Sequence, residues 1–114
     1  MKCKKLIINQ EEVGTVYIAD NFFLRLRGLI GRDPSEIGAL LIKPCSQIHT
    51  FMMSAPIDVV YIDSKGTVLK IDENVEKNKC KASVKRSKAV VEFPAFKAKE
   101  LNISQGDVIT VSED

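Results

Sequence analysis

The run Ile57-Asp58-Val59-Val60-Tyr61-Ile62 constrains this chain more than any other stretch. Its β-branched and aromatic residues favour extended backbone, and Pro56 marks its leading edge. Asp63-Ser64-Lys65-Gly66 then supplies the residues of a tight turn, and Thr67 to Ile71 returns as a second strand. The chain is therefore built around at least one β-hairpin.

The same signals recur elsewhere. Lys4 to Asn9 and Val13 to Ala19 read as strands joined by a polar turn at Gln10-Glu11-Glu12. Both faces of the second strand are largely apolar, which points to burial on two sides or to a curved sheet. Ala89 to Phe93 is a further strand stopped by Pro94, and Val108 to Val111 closes the chain after Ser104-Gln105-Gly106-Asp107. Between them lie the apolar run Ala39 to Ile42, a loop from Pro34 to Gly38, and a polar, basic, exposed loop from Lys77 to Lys88.

Two short helices are expected. Asp20 or Asn21 caps the first, in which Phe22, Phe23, Leu26, Leu29 and Ile30 share a stripe before Gly31-Arg32-Asp33-Pro34 ends it. The second covers Ala95 to Leu101. Short strands separated by turns predict a mainly β fold, a small antiparallel β-barrel or sandwich with two short helices (α+β). No βαβ alternation is read, which argues against a nucleotide-binding parallel sheet.

At 114 residues the chain is read as one domain over 1–114. A net charge of +2 is too small to call for nucleic acid or a membrane surface. Cys3, Cys45 and Cys80 are odd in number and form no Cys-x-x-Cys pair, so reduced thiols are the simpler reading. Only Leu6-Ile7-Ile8 follows the basic start, short of an export signal, and no run approaches the roughly 20 apolar residues of a bilayer span. A cytoplasmic location is expected, with no cofactor and with partners and oligomeric state left open.

Five residues are candidates for a site: Arg27, Arg32, Cys45, His49 and Asp58. Cys45 and His49 offer a thiol and the chain's one imidazole, a pair suited to nucleophilic chemistry or metal ligation. Positions four apart in a strand lie about 13 Å apart, so a direct contact needs a turn between them. A structural thiol and a histidine bonded to backbone is the blander alternative, and the favoured one. Arg27 and Arg32, with Arg25 nearby, suit bidentate binding of a carboxylate or phosphate; otherwise Arg27 and Arg32 pair with Asp33, Asp58 or Glu92. Asp58 either reaches solvent or, if buried, needs Arg27, Arg32 or His49 beside it. Met52 and Met53 read as core filler, and Cys80 sits in the lysine-rich loop.

Four motifs together resemble the DUF192 family of bacterial and archaeal proteins. They are Arg27-Gly28-Leu29-Ile30-Gly31-Arg32, Cys45 to Met53, Pro56 to Asp63 with Gly66-Thr67-Val68, and Val91-Glu92-Phe93-Pro94-Ala95 with a closing Gly106-Asp107-Val108-Ile109. The likeness runs from about Ala19 to Val111. It implies a mostly antiparallel, barrel-like fold with short helices and brings no activity with it. Phe96 stands where many members have glycine, and members with an aromatic residue in place of His49 speak against a shared catalytic histidine. The residues favour a non-enzymatic module that binds a small ligand or anion. A protein-interaction or assembly module is the alternative, and a Cys/His metal or thiol enzyme ranks below both.

Overall fold

The structure is a computed structural model that describes residues 1–19, 21, 33–48 and 54–112. Seven strands form one sheet: β1 (Lys2–Ile8), β2 (Glu11–Ala19), β3 (Ala39–Ile42), β4 (Ile57–Ile62), β5 (Val68–Val75), β6 (Ala89–Pro94) and β7 (Ile109–Val111). Their order is β5-β4-β6-β3-β2-β1-β7. Among the described residues two one-turn helices accompany them, α1 (Pro34–Ile37) and α2 (Lys97–Glu100). The expected first helix falls on residues 20–31, which lie outside the described residues except for Asn21. Among the described residues no helix is long and apolar enough to cross a membrane.

The sheet is mainly antiparallel, as expected, with β2 and β3 the exception. They pair in parallel from Val16↔Ala39 to Ala19↔Ile42. Parallel neighbours need a crossover of a dozen or more residues, and residues 20–38 supply it. The predicted loop at Pro34 to Gly38 holds the turn of helix α1. Asp33 caps it, with Oδ1 accepting from the Ser35 amide at 3.0 Å and the Ser35 hydroxyl at 2.7 Å. Proline at the first helical position gives up no hydrogen bond, which favours the same start.

The first turn also differs from expectation. Glu11 and Glu12 already belong to β2, and the connection is Asn9-Gln10 with φ of 51° and 71°. Two consecutive left-handed residues match the right-handed twist of a hairpin. Asn9 tolerates this conformation and uses its side chain as a clamp. Its Nδ2 donates to Asp107 Oδ1 at 3.1 Å, and its Oδ1 accepts from the Val108 amide at 2.9 Å.

That clamp belongs to a closure that curls the sheet into a barrel-like body. Thr67 bridges Val108, the Val68 amide donates to the Asp107 carbonyl at 2.8 Å, and the Ile109 amide to the Gly66 carbonyl at 2.8 Å. Gly66 sits at the seam with φ of +84°, and a Cβ there would overlap the Ile109 carbonyl oxygen. Gly66→Ala combines a left-handed alanine with a clash against backbone. It is expected to cost about 2–3 kcal/mol in urea-induced unfolding.

Strands β4 and β6 are buried on both faces, so alternate residues feed two apolar clusters. Val60, Ile62, Val91 and Phe93 face the barrel interior with Leu6, Val16, Leu41 and Ile109. Val59, Tyr61 and Val90 face the other way, with Ala19, Leu40, Ile42 and Ile48. This alternation decides which candidate residues can share a site.

Candidate functional site

Cys45 and Asp58 fall on opposite faces. Asp58 alternates with Val59 and so projects to the interior side, opposite Phe93 of β6. Cys45 is half-buried and packs against the second cluster, to which Tyr61 and Val59 belong. These two do not converge. Arg27, Arg32 and His49, with Arg25, Met52 and Met53, lie outside the described residues.

Asp58 is fully buried, and its oxygens take backbone amides. Oδ1 accepts from Asn74 at 2.8 Å and Oδ2 from Ala98 at 2.9 Å. The first amide lies where β5 carries one residue more than β4, with Asn74 at φ of 49°. The second lies in the opening turn of α2. Among the described residues the partners of Asp58 are these two amides, while Arg27, Arg32 and His49, the partners expected from the sequence, lie outside them. Asp58 ties a strand bulge and a helix to the central strand.

Phe96 precedes α2 and adopts φ of 73°, while 61% exposed. The left-handed region costs a non-glycine residue about 1–2 kcal/mol, a conformation that glycine adopts freely. Phe96→Gly is expected to raise stability by about 0.5–1 kcal/mol, once the added freedom of the unfolded chain is subtracted. Thermal unfolding of the two proteins checks this.

The second face is organised by the segment around Cys45, which is irregular rather than a strand. The Cys45 thiol donates to the Gln47 carbonyl at 3.2 Å. The loop before β6 straps the segment down. Val84 and Lys81 donate to the carbonyls of Ser46 and Ile48 at 2.8 and 3.1 Å, and the Ser87 hydroxyl donates to the Cys45 carbonyl at 2.9 Å. The lysine-rich stretch from 77 to 88 is thus a loop, as expected, but an anchored one. Lys77, Lys79, Lys85 and Lys88 are exposed while Val84 packs inward against the cluster.

On this same face of the sheet lies the polar residue that matters most. Glu92 occupies the middle of β6, flanked by Leu40 of β3 and Val59 of β4. It is 2% exposed, and its Oε1 has no hydrogen-bond partner among the described residues. Burial alone pushes its carboxyl up to about 8, so at neutral pH it is largely a neutral acid. Tyr61 points from the same face and donates to Asp72 Oδ2 at 3.1 Å. Burial first, then the neighbouring Asp72, holds its phenol well above the ordinary range, and the fields of Cys45 and Glu92 add to this. Lys70 pairs with Asp72 at 3.4 Å. Among the described residues, no three His, Cys, Asp or Glu side chains are grouped to hold a metal ion.

Glu92 entered the sequence reading as a partner for arginine and as part of the Val91 to Ala95 motif, not as a site residue. The signal for more was a charged residue between Val91 and Phe93, inside a strand apolar on both sides.

A mainly β sheet, a Gly66 seam at a closing turn, and a buried glutamate in the Val91-Glu92-Phe93-Pro94-Ala95 strand agree with the family that the motifs resembled. The DUF192 model, described as "Uncharacterized ACR", matches residues 5–111. The chain belongs to the DUF192 family. Among DUF192 relatives, a UPF0127 protein of Pyrococcus abyssi is 32% identical over 113 residues, covering 91% of this chain and 95% of that protein. A UPF0127 protein of Thermococcus kodakarensis is 28% identical over 85% of this chain and 64% of its own length. Two crystal structures share the DUF192 fold seen here. A candidate transcription regulator from Sinorhizobium meliloti superposes with a TM-score of 0.79 at 22% identity, over 96% of this chain and 94% of that one. A protein of unknown function from Novosphingobium aromaticivorans gives 0.77 at 16% identity, over 93% and 83%. At such identities the likeness is one of fold.

Proposed function

We propose that this DUF192 chain is a non-enzymatic module that binds a small ligand, an anion in the first instance, on the second face of its sheet. Glu92 and Cys45 contribute from β6 and the strapped segment, and Arg27, Arg32 and His49 complete the site. Asp58 serves it indirectly, by holding β4, β5 and α2 in register.

The carboxyl oxygen of Glu92 that has no partner among the described residues carries this reading. Burying a polar group without a partner costs free energy, and such costs concentrate where a ligand later supplies the partner. A neutral glutamic acid offers an O–H to an anionic oxygen, while a guanidinium supplies the opposite charge. The apolar wall of Leu40, Val59 and Val90 keeps water from competing.

Thermal-shift measurements with phosphate, small carboxylates and sugars test the reading. At least one of them is expected to stabilise the protein, with the gain lost in Arg27→Ala and reduced in Glu92→Gln. No stabilisation by any of them, with wild type and Arg27→Ala behaving alike, overturns it. Phe96 favours a second reading, an interaction module, because it holds a strained backbone while presenting an aromatic ring to solvent. A partner recovered from the native host and lost on Phe96→Gly supports that alternative.

A further inference from the structure

The geometry points to a second binding site, at the mouth of the barrel, that takes a small carboxylate carrying an apolar tail. β3, β6 and β4 are neighbours in the sheet, and their pairing puts the end of β3, the start of β6 and the end of β4 at one edge: Ile42 pairs with Val90 and Ile62 with Ala89. Lys43 follows β3, Lys88 precedes β6, and Lys65 stands in the turn after β4. Three lysines from separate parts of the sequence are thereby gathered on one rim.

They line a cavity of about 310 Å³ whose floor includes Leu41, Ile62 and Ile109 of the barrel interior. Barrel mouths of this make, apolar below and charged at the lip, are favoured ligand sites. The ion pairs among the described residues engage Lys5, Lys70 and Lys97 instead. Asp63 also lines the cavity, but its Oδ1 accepts from the amides of Thr67 and Lys65, both at 2.9 Å, and so is committed to the turn. Three lysines against this one carboxylate leave the rim a net positive charge. The volume matches about ten water molecules in the liquid, or a ligand of about ten heavy atoms, the size of an eight-carbon carboxylate. Inorganic phosphate would use the lysines and leave the apolar floor unfilled.

Calorimetric titration of the intact chain with sodium octanoate, sodium acetate and 1-octanol separates head from tail. Octanoate is expected to bind at least tenfold more tightly than either of the others, and less tightly as salt is raised. Each of Lys43→Gln, Lys65→Gln and Lys88→Gln is expected to weaken octanoate binding about threefold to tenfold. The triple variant, whose changes are all at exposed positions, should keep its unfolding temperature and lose binding. Unchanged octanoate affinity in a folded triple variant overturns the proposal, as does the absence of binding to wild type. Cosedimentation with vesicles of phosphatidylserine in the absence of octanoate binding overturns it too, because the lysines would then serve a membrane surface.

Discussion

Asp58→Ala is expected to cost about 3–5 kcal/mol of unfolding free energy, which makes it the most damaging substitution of a polar side chain foreseen here. Two effects add. The charge-assisted bonds to the amides of Asn74 and Ala98 disappear, leaving the Ala98 amide buried with no acceptor and the Asn74 amide part-buried. The bulge in β5 and the start of α2 then lose their common anchor on β4. Asp58→Asn keeps the shape and one acceptor oxygen but turns an amide group toward the second donor, so an intermediate loss is expected. Urea denaturation of the three proteins measures this. Equal midpoints would show that solvent or another side chain serves these amides.

Stability is expected to fall by several kcal/mol between about pH 4.5 and pH 8, on the order of 3–5, because of Glu92 alone. The folded-state value near 8 lies above the ordinary value of 4.5, so within this window the native protein keeps a proton that the unfolded chain has released. The contribution of Glu92 is fully present below the lower value, is lost as pH rises toward the upper one, and changes no further above it. Glu92→Gln removes the titration, and the stability curve of the variant should be correspondingly flatter. Denaturation of both proteins at pH 5 and pH 8 provides the comparison. Parallel curves would mean that the carboxyl is not desolvated.

Much of the fold was legible because strand chemistry is local. Ile57 to Ile62 needs no neighbours to be read as a strand, and its bounds in the structure are the same. The Asp63 to Gly66 turn was equally plain, since its aspartate and glycine each have a specific task. The turn at Asn9-Gln10 was missed by a residue or two because Gln10 takes a left-handed conformation seldom given to glutamine. The parallel pairing of β2 with β3 depends on where the crossover lands, and no local pattern reports that.

The candidate site was legible by segment more than by residue. Cys45 belongs to the face now favoured, while Asp58, thirteen positions on and in the most conspicuous strand, points the other way. Strand alternation alone told that Asp58 and Tyr61 differ in face, but not which face would carry Cys45. The partners of Asp58 are amides of a bulge and a helix start, features that arise only once β5 and α2 have folded against β4. Lys43, Lys65 and Lys88 gave no sequence signal, because only the sheet order brings them to one rim.

A carboxyl carbon NMR titration of Glu92 in the ligand-free protein tests the central claim most directly. A midpoint near 8 is expected, moving when a stabilising anion is added because that ligand meets the oxygen left without a partner among the described residues. A midpoint in the ordinary glutamate range, indifferent to every anion tried, would contradict it and leave Glu92 as a solvated or paired side chain.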